Sequence, residues 1–320
     1  MCPQLTTEND RMKHTTKTTS TTTGSPRRRM IMALGLGAVG LAGVLAFGLG
    51  SGARAETPLA ALLAGTHIHG LAVDRADPSR LMIATHHGLH ALDIDSGLTV
   101  QVSDHRDDLM GFVAHPAEPA GFLASGHPAR GGNLGVIASS DRGKSWVKLS
   151  DGVDGPVDFH QMDISKADPA VVWGNYGGLQ RSRDGGATWE MVADAPVGLI
   201  DIAASAADPE RLYAATEVGL FVSAADAEGW QRAHPAQAPV TLVEVTQDGI
   251  LHAFIFDEGL VRRAEDSAEW ERLHPGFEDR FLLYFAVDPQ APERVFTATQ
   301  HGEVLASEDG GRNWRQLGID

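Results

Sequence analysis

SSDRGKSW (139–146), SRDGGATW (182–189) and SEDGGRNW (307–314) are three copies of one pattern, S-x-D-x-G-x-[STN]-W. Weaker copies keep the same seven-residue step from first position to last. SAADAEGW ends at Trp230, RAEDSAEW at Trp270, and DIDSGLTV at Val100 with Asp95, Gly97 and Thr99 in register. The closing positions 100, 146, 189, 230, 270 and 314 are 46, 43, 41, 40 and 44 residues apart. A spacing that regular marks an internal repeat, and repeats of this length are whole supersecondary units.

Working outward, each unit has one grammar. An apolar strand runs into a D-P-like turn (ADPSR, AEPAG, ADPAV, ADPER, APERV). A second strand follows (LMIAT, LYAAT, VFTAT), then a third, then the S-x-D turn and a closing strand opened by Trp. The fifth unit replaces the D-P turn with TQDG. Alternation, β-branched residues and turn punctuation give four strands per unit. Four-stranded units repeating every 40–46 residues are propeller blades. The expected fold is all-β, one six-bladed β-propeller over residues 56–320, preceded by a separate leader. The last unit keeps its terminal strand, WRQLG, so ring closure does not require a swapped strand.

The strings match the Asp-box signature, and the chain resembles the BNR/Asp-box propellers: sialidases, sortilin-type domains and photosystem assembly factors. Over residues 56–320 it is most similar to bacterial secreted BNR-repeat proteins described as glycosyl hydrolase-like or exo-sialidase-like. Such repeats specify a fold and not a reaction. Asp141, Asp184 and Asp309 are expected to accept backbone N–H bonds across the turn. Gly143, Gly186 and Gly311 suit backbone angles closed to other residues. Trp146, Trp189 and Trp314 supply apolar surface between blades.

Residues 1–55 read differently. A polar, Thr-rich stretch precedes Arg27, Arg28 and Arg29, then an apolar run over residues 30–50, then an A-x-A end at Ala53 and Ala55. This is the layout of a twin-arginine-like export signal, predicted to be cut after Ala55. Export places the protein in the periplasm or outside the cell. If the signal is retained, residues 30–50 are long enough to anchor it in a membrane. The leader carries seven of the 26 Lys+Arg and two of the 42 Asp+Glu, leaving 19 against 40, a net charge of −21 with His neutral. So acidic a body excludes nucleic-acid backbones as partners and promotes solubility as a monomer. The one cysteine, Cys2, is in the leader, so the propeller has no disulfide and no thiolate.

The histidines carry the functional signal. In a propeller the first strand of each blade lines the central channel. Its start shares a face with the turn between the second and third strands. Nine residues before the turn prolines Pro78, Pro119, Pro169, Pro209 and Pro292 stand His69, Met110, His160, Ile200 and Leu283. Eleven before them stand His67, Asp108, Asp158, Gly198 and Phe281. The turns on the same face add His86 and His87 in blade 1 and His127 in blade 2. Nine of the 13 histidines beyond the leader fall between residues 67 and 160. His67, His69, His86, His87, His127 and His160, with Asp108 and Met110, therefore predict a transition-metal site at the mouth formed by blades 1–3. Met with several His leans to copper, and His with Asp to zinc or manganese. The ligand is the ion itself, or a small molecule or glycan bound through it.

Two other functions stay open. The resemblance implies a sialidase-like glycoside hydrolase, which needs an arginine trio, a Tyr/Glu pair and an acid/base Asp. The Arg-Ile-Pro motif that carries the first arginine in that family has no counterpart here, and HIHG occupies the first inner strand. Arg106, Arg130 and Arg280 come from unmatched contexts. Asp201, Glu244 and Tyr284 share one inner-strand register and are the candidate catalytic residues. The third possibility is a non-enzymatic scaffold for protein assembly.

Overall fold

The computed structural model describes residues 54–223 and 229–319. The expected leader, apart from Arg54 and Ala55, lies outside the described residues. Six antiparallel sheets follow one another in chain order, each wound from its first strand outward. They are the six blades. Their first strands are Ile68–Val73, Asp108–Ala114, Gln161–Ile164, Leu199–Ala204, Val240–Val245 and Leu282–Val287. These strands neighbour one another in a closed ring, with the first packed against the last.

The apolar core divides into six clusters, one at each blade interface. Five have a tryptophan from the later blade packed against them: Trp146, Trp189, Trp230, Trp270 and Trp314. The sixth interface, between blades 6 and 1, has Val100 where the tryptophan would come from. Its cluster contains Leu59, only 1% exposed, with Leu63 packed against it. Leu59 opens the short helix Leu59–Leu63, which follows a strand, Glu56–Pro58, paired with the outer strand of blade 1. This fifth strand is not legible in the repeat. The segment before blade 1 thus fills the gap left by the missing ring, and closure is by side-chain packing without a swapped strand.

The three S-x-D turns share one network. Ser139 Oγ donates to Asp141 Oδ1 at 2.9 Å and accepts from Gly143 N–H at 2.8 Å. Asp141 also accepts from Ser145 N–H at 2.9 Å and Ser145 Oγ at 2.6 Å. The same bonds recur around Asp184 and Asp309, with Thr188 and Asn313 in the place of Ser145. Gly143 and Gly186 have φ of 79° and 95°, a region in which a Cβ is strained. The turns lie at the opposite end of the blades from the histidine-bearing turns.

Trp146, Trp189 and Trp314 are part-buried, not buried as their repeat position suggests. Each opens an outer strand, so one edge of the ring meets solvent. Trp189 packs at a tilt against Phe159 (centroids 4.8 Å apart) and its Nε1–H donates to Ser150 Oγ and the Gly186 carbonyl, both at 3.0 Å. Trp189→Ala is expected to cost about 2–3 kcal/mol, below the ~3–5 kcal/mol of a fully buried ring. Urea unfolding checks this, and a loss under about 1 kcal/mol would show that the ring does not tie blade 3 to blade 2.

Candidate metal centre

The channel encloses a cavity of about 380 Å³ lined by residues of all six first strands, from His69 and His160 at one end to Arg75 and Pro289 at the other. A β-bulge recurs near the His69 end. The ladders skip His69 in blade 1, Ile200 in blade 4, Thr241 in blade 5 and Leu283 in blade 6. A bulge re-aims the extra residue relative to its strand. At this repeated position blade 1 alone of the four carries an ionisable side chain.

The side chains at this mouth form two groups, each with its possible donor atoms within 4.8 Å of one another. In the first, His69 Nε2 lies 3.1 and 3.3 Å from the two ring nitrogens of His86 and 3.6 Å from Asp108 Oδ1. His86 Nδ1 is 2.7 Å from Asp108 Oδ2. His67 stands just outside, its Nδ1 3.2 Å from His86 Nε2. Burial holds the His69 imidazole down at about 4 against the pull of Asp108, helped by the neighbouring His86, His160 and His67. It is therefore a neutral nitrogen donor at neutral pH. Asp108 Oδ1 is buried and has no hydrogen-bond partner among the described residues.

The second group joins His127, Asp158 and His160. Asp158 Oδ2 is 2.8 Å from His127 Nε2 and 2.9 Å from His160 Nε2. The hydrogen bond that His160 donates to Asp158 raises its imidazole above its ordinary value, against some burial.

The eight predicted residues thus fall apart unevenly. His69, His86 and Asp108 meet, but His127 and His160 gather on Asp158 and not with His67 and His69 in a single shell. Asp158 was visible in the sequence at the register of Asp108, and only the fold shows that it organises its own pair. His87 is exposed, its ring centroid 6.5 Å from that of His86, and belongs to neither group. Met110 is buried two residues along the strand from Asp108. The donors brought together in the two groups are imidazole and carboxylate, the set that suits zinc.

Deeper in the channel, Asp163, Lys166, Asp201, Glu244 and Tyr284 line the same cavity. Two of these carboxylates are tied into the backbone. Asp163 accepts from the N–H groups of Ile164 and Ala204, and Asp201 from those of Ile202 and Val243, all at 2.8–2.9 Å. Each bond to the following blade clasps neighbouring inner strands. Burial pushes Asp201 well above the usual carboxylate range, which its two backbone donors only partly oppose. Lys166 Nζ lies 2.6 Å from Asp163 and 3.5 Å from Glu244. Glu244 is pushed up to about 7 by burial, with Lys166 pulling the other way. Burial likewise raises Tyr284 to about 12, so it stays a protonated phenol. Of the three candidate arginines, Arg280 pairs with Glu303 at 3.3 Å.

No protein-family model and no curated protein matches the chain. Among solved structures it is similar to the GH74 xyloglucanase from Xanthomonas campestris, with a TM-score of 0.55 and 20% identity over 78% of this chain. It is also similar to the GH74 enzyme of Niastella koreensis, at 0.56 and 12% over 78%. The chain spans about half the length, 45%, of each of those two proteins. A gluconolactonase from Xanthomonas campestris matches at 0.55 and 15%, over 76% of this chain and 86% of its own. At these identities the likeness establishes the six-bladed propeller and leaves the chemistry to the site.

Proposed function

We propose that the propeller binds a borderline divalent metal ion, zinc or a close relative, on His69, His86 and Asp108, and presents it to a small ligand in the channel. The observation that carries this reading is the buried Oδ1 of Asp108, which has no hydrogen-bond partner among the described residues and lies 3.6 Å from His69 Nε2. A buried charge is stable only when paired or coordinated. Ligands around a tetrahedral ion with bonds near 2.0–2.1 Å stand roughly 3.3 Å apart. The contacts among His69, His86 and Asp108 run from 2.7 to 3.6 Å. Two imidazoles and one carboxylate leave open positions, the arrangement of a catalytic ion and not a structural one. The test is metal analysis of the untagged protein, then zinc titration after chelator stripping. At zinc 100-fold above its Kd, the thermal midpoint should rise by the equivalent of about 2.7 kcal/mol. No bound metal and no shift would end the reading.

A second reading, hydrolysis of a glycan or another small substrate, is favoured by Glu244. A carboxyl held near neutrality in a ligand-sized cavity can give and take a proton. The xyloglucanase and gluconolactonase activities named for the similar folds are of this broad kind. A two-carboxylate glycosidase needs a partner about 5–10 Å away. Asp201 is the adjacent-blade candidate, but both its oxygens are engaged by backbone donors. Sialidase chemistry has less support. With Arg280 committed to Glu303 and no Arg-Ile-Pro motif in the first blade, the protein is expected to release no sialic acid from a fluorogenic aryl sialoside. Turnover lost on changing Arg106, Arg130 or Arg280 would restore that activity. We also propose that the Asp-box repeats and the leader mark an exported BNR-type protein. Its cleavage point falls just before the strand Glu56–Pro58 that completes blade 1.

A further inference from the structure

The second side-chain group at the mouth poses an electrostatic problem of its own. His127 Nδ1 is 2.9 Å from the Gly132 carbonyl, which can only accept, so Nδ1 carries the hydrogen. In the neutral ring Nε2 then presents a lone pair, and 2.8 Å from it stands Asp158 Oδ2, an acceptor facing an acceptor. His160 Nε2 approaches the same oxygen at 2.9 Å. Asp158 is 5% exposed, and its other oxygen, Oδ1, is buried with no hydrogen-bond partner among the described residues. His160 can donate to that oxygen from its neutral Nε2–H tautomer and a proton on His127 would relieve the other contact, but neither reaches Oδ1. A divalent ion satisfies the carboxylate and both nitrogens together. A backbone carbonyl holding the far nitrogen is also how metal-ligating imidazoles are oriented.

The two groups are joined through blade 2. Asp108, of the first group, and His127, of the second, are register partners on its first and second strands. Residues directly opposite in an antiparallel pair have Cα atoms about 4.5–5.5 Å apart and side chains on one face. One ligand of each group therefore stands beside one of the other.

We infer that the channel mouth holds two divalent ions side by side, the second on His127, Asp158 and His160. This rests on the proposed function for its first ion only. Neither carboxylate is shared between the groups, so any bridge between the ions comes from water or from the bound ligand, as in two-metal hydrolytic centres.

Stoichiometry separates this inference from the reading beneath it. Untagged, chelator-stripped protein is titrated with zinc by calorimetry, and its copper(II)-loaded form is examined by electron paramagnetic resonance. Wild type should take two equivalents, and its two-copper spectrum should show spin–spin broadening. Asp158→Asn should take one equivalent and give a magnetically isolated copper signal. His160→Gln, at a more exposed position, should weaken the second binding event at least ~10-fold, and it carries the test if Asp158→Asn does not fold. A single equivalent in wild type, kept in Asp158→Asn, overturns the two-ion centre and leaves the first site standing. Two equivalents with isolated spectra, or two retained in Asp158→Asn, overturn it as well. No binding at all overturns both.

Discussion

Asp108→Asn is expected to weaken zinc binding at the first site at least ~100-fold, the larger end of what even an outer-shell change costs. Asparagine keeps the shape of the side chain and removes the one negative charge among His69, His86 and Asp108. The contact of 2.7 Å to His86 Nδ1 can persist, so the ring stays where it is. What disappears is the charge whose buried Oδ1 has no hydrogen-bond partner among the described residues. The apo protein should keep its thermal midpoint within a few degrees, because the group sits at a mouth and not in an interface cluster. His87→Gln, outside both groups, and Met110→Leu, which leaves every imidazole and carboxylate donor in place, should bind zinc within about twofold of wild type. Competition against a chromophoric chelator measures all three. Equal affinity in Asp108→Asn and wild type would falsify the site.

His252→Phe is expected to make the protein more acid-resistant, by about 2–3 kcal/mol at pH 4.5. His252 is 4% exposed in the second strand of blade 5, packed at a tilt beside Phe285 with centroids 5.1 Å apart. Burial, aided by Arg262, holds its imidazole down at about 4. In the unfolded chain the same ring titrates near 6.5. Between those values the unfolded state takes up a proton that the folded state refuses. Stability is therefore complete above about pH 6.5 and falls as pH drops towards 4, by about 3 kcal/mol in all. Phenylalanine does not titrate and keeps the ring contact, so the variant should match wild type within about 1 kcal/mol at pH 7. Superimposable acid limbs in urea melts at pH 7, 5.5 and 4.5 would show that His252 titrates normally. His90 is also held down to about 4, by burial first and Arg106 second, and should produce a residual acid slope in the variant.

The architecture was legible in the sequence because a propeller writes itself as a repeat. Turn aspartates, turn glycines and interface tryptophans recur at fixed steps, since each blade must solve the same hydrogen-bonding and packing problem. The sequence also determined which face the histidines share, because strand period and D-P register fix the end of the blade on which each one falls. Where the repeat was broken, the chain went silent. Val100 in place of tryptophan gave no sign that Leu59, 41 residues earlier, fills the gap between blades 6 and 1. Only the tertiary structure decided how the histidines are shared out. The cross-strand placement of His127 opposite Asp108 and the carbonyl of Gly132 divide one expected cluster into two. Likewise, register alone brought Asp201 and Glu244 to the channel wall, and the backbone N–H groups of blades 4 and 5 decided that Asp201 is a clasp and Glu244 faces the cavity. The physical reason is the same in each case. Periodicity determines which way a side chain faces, and a donor's partner is set by what the neighbouring strand presents to it.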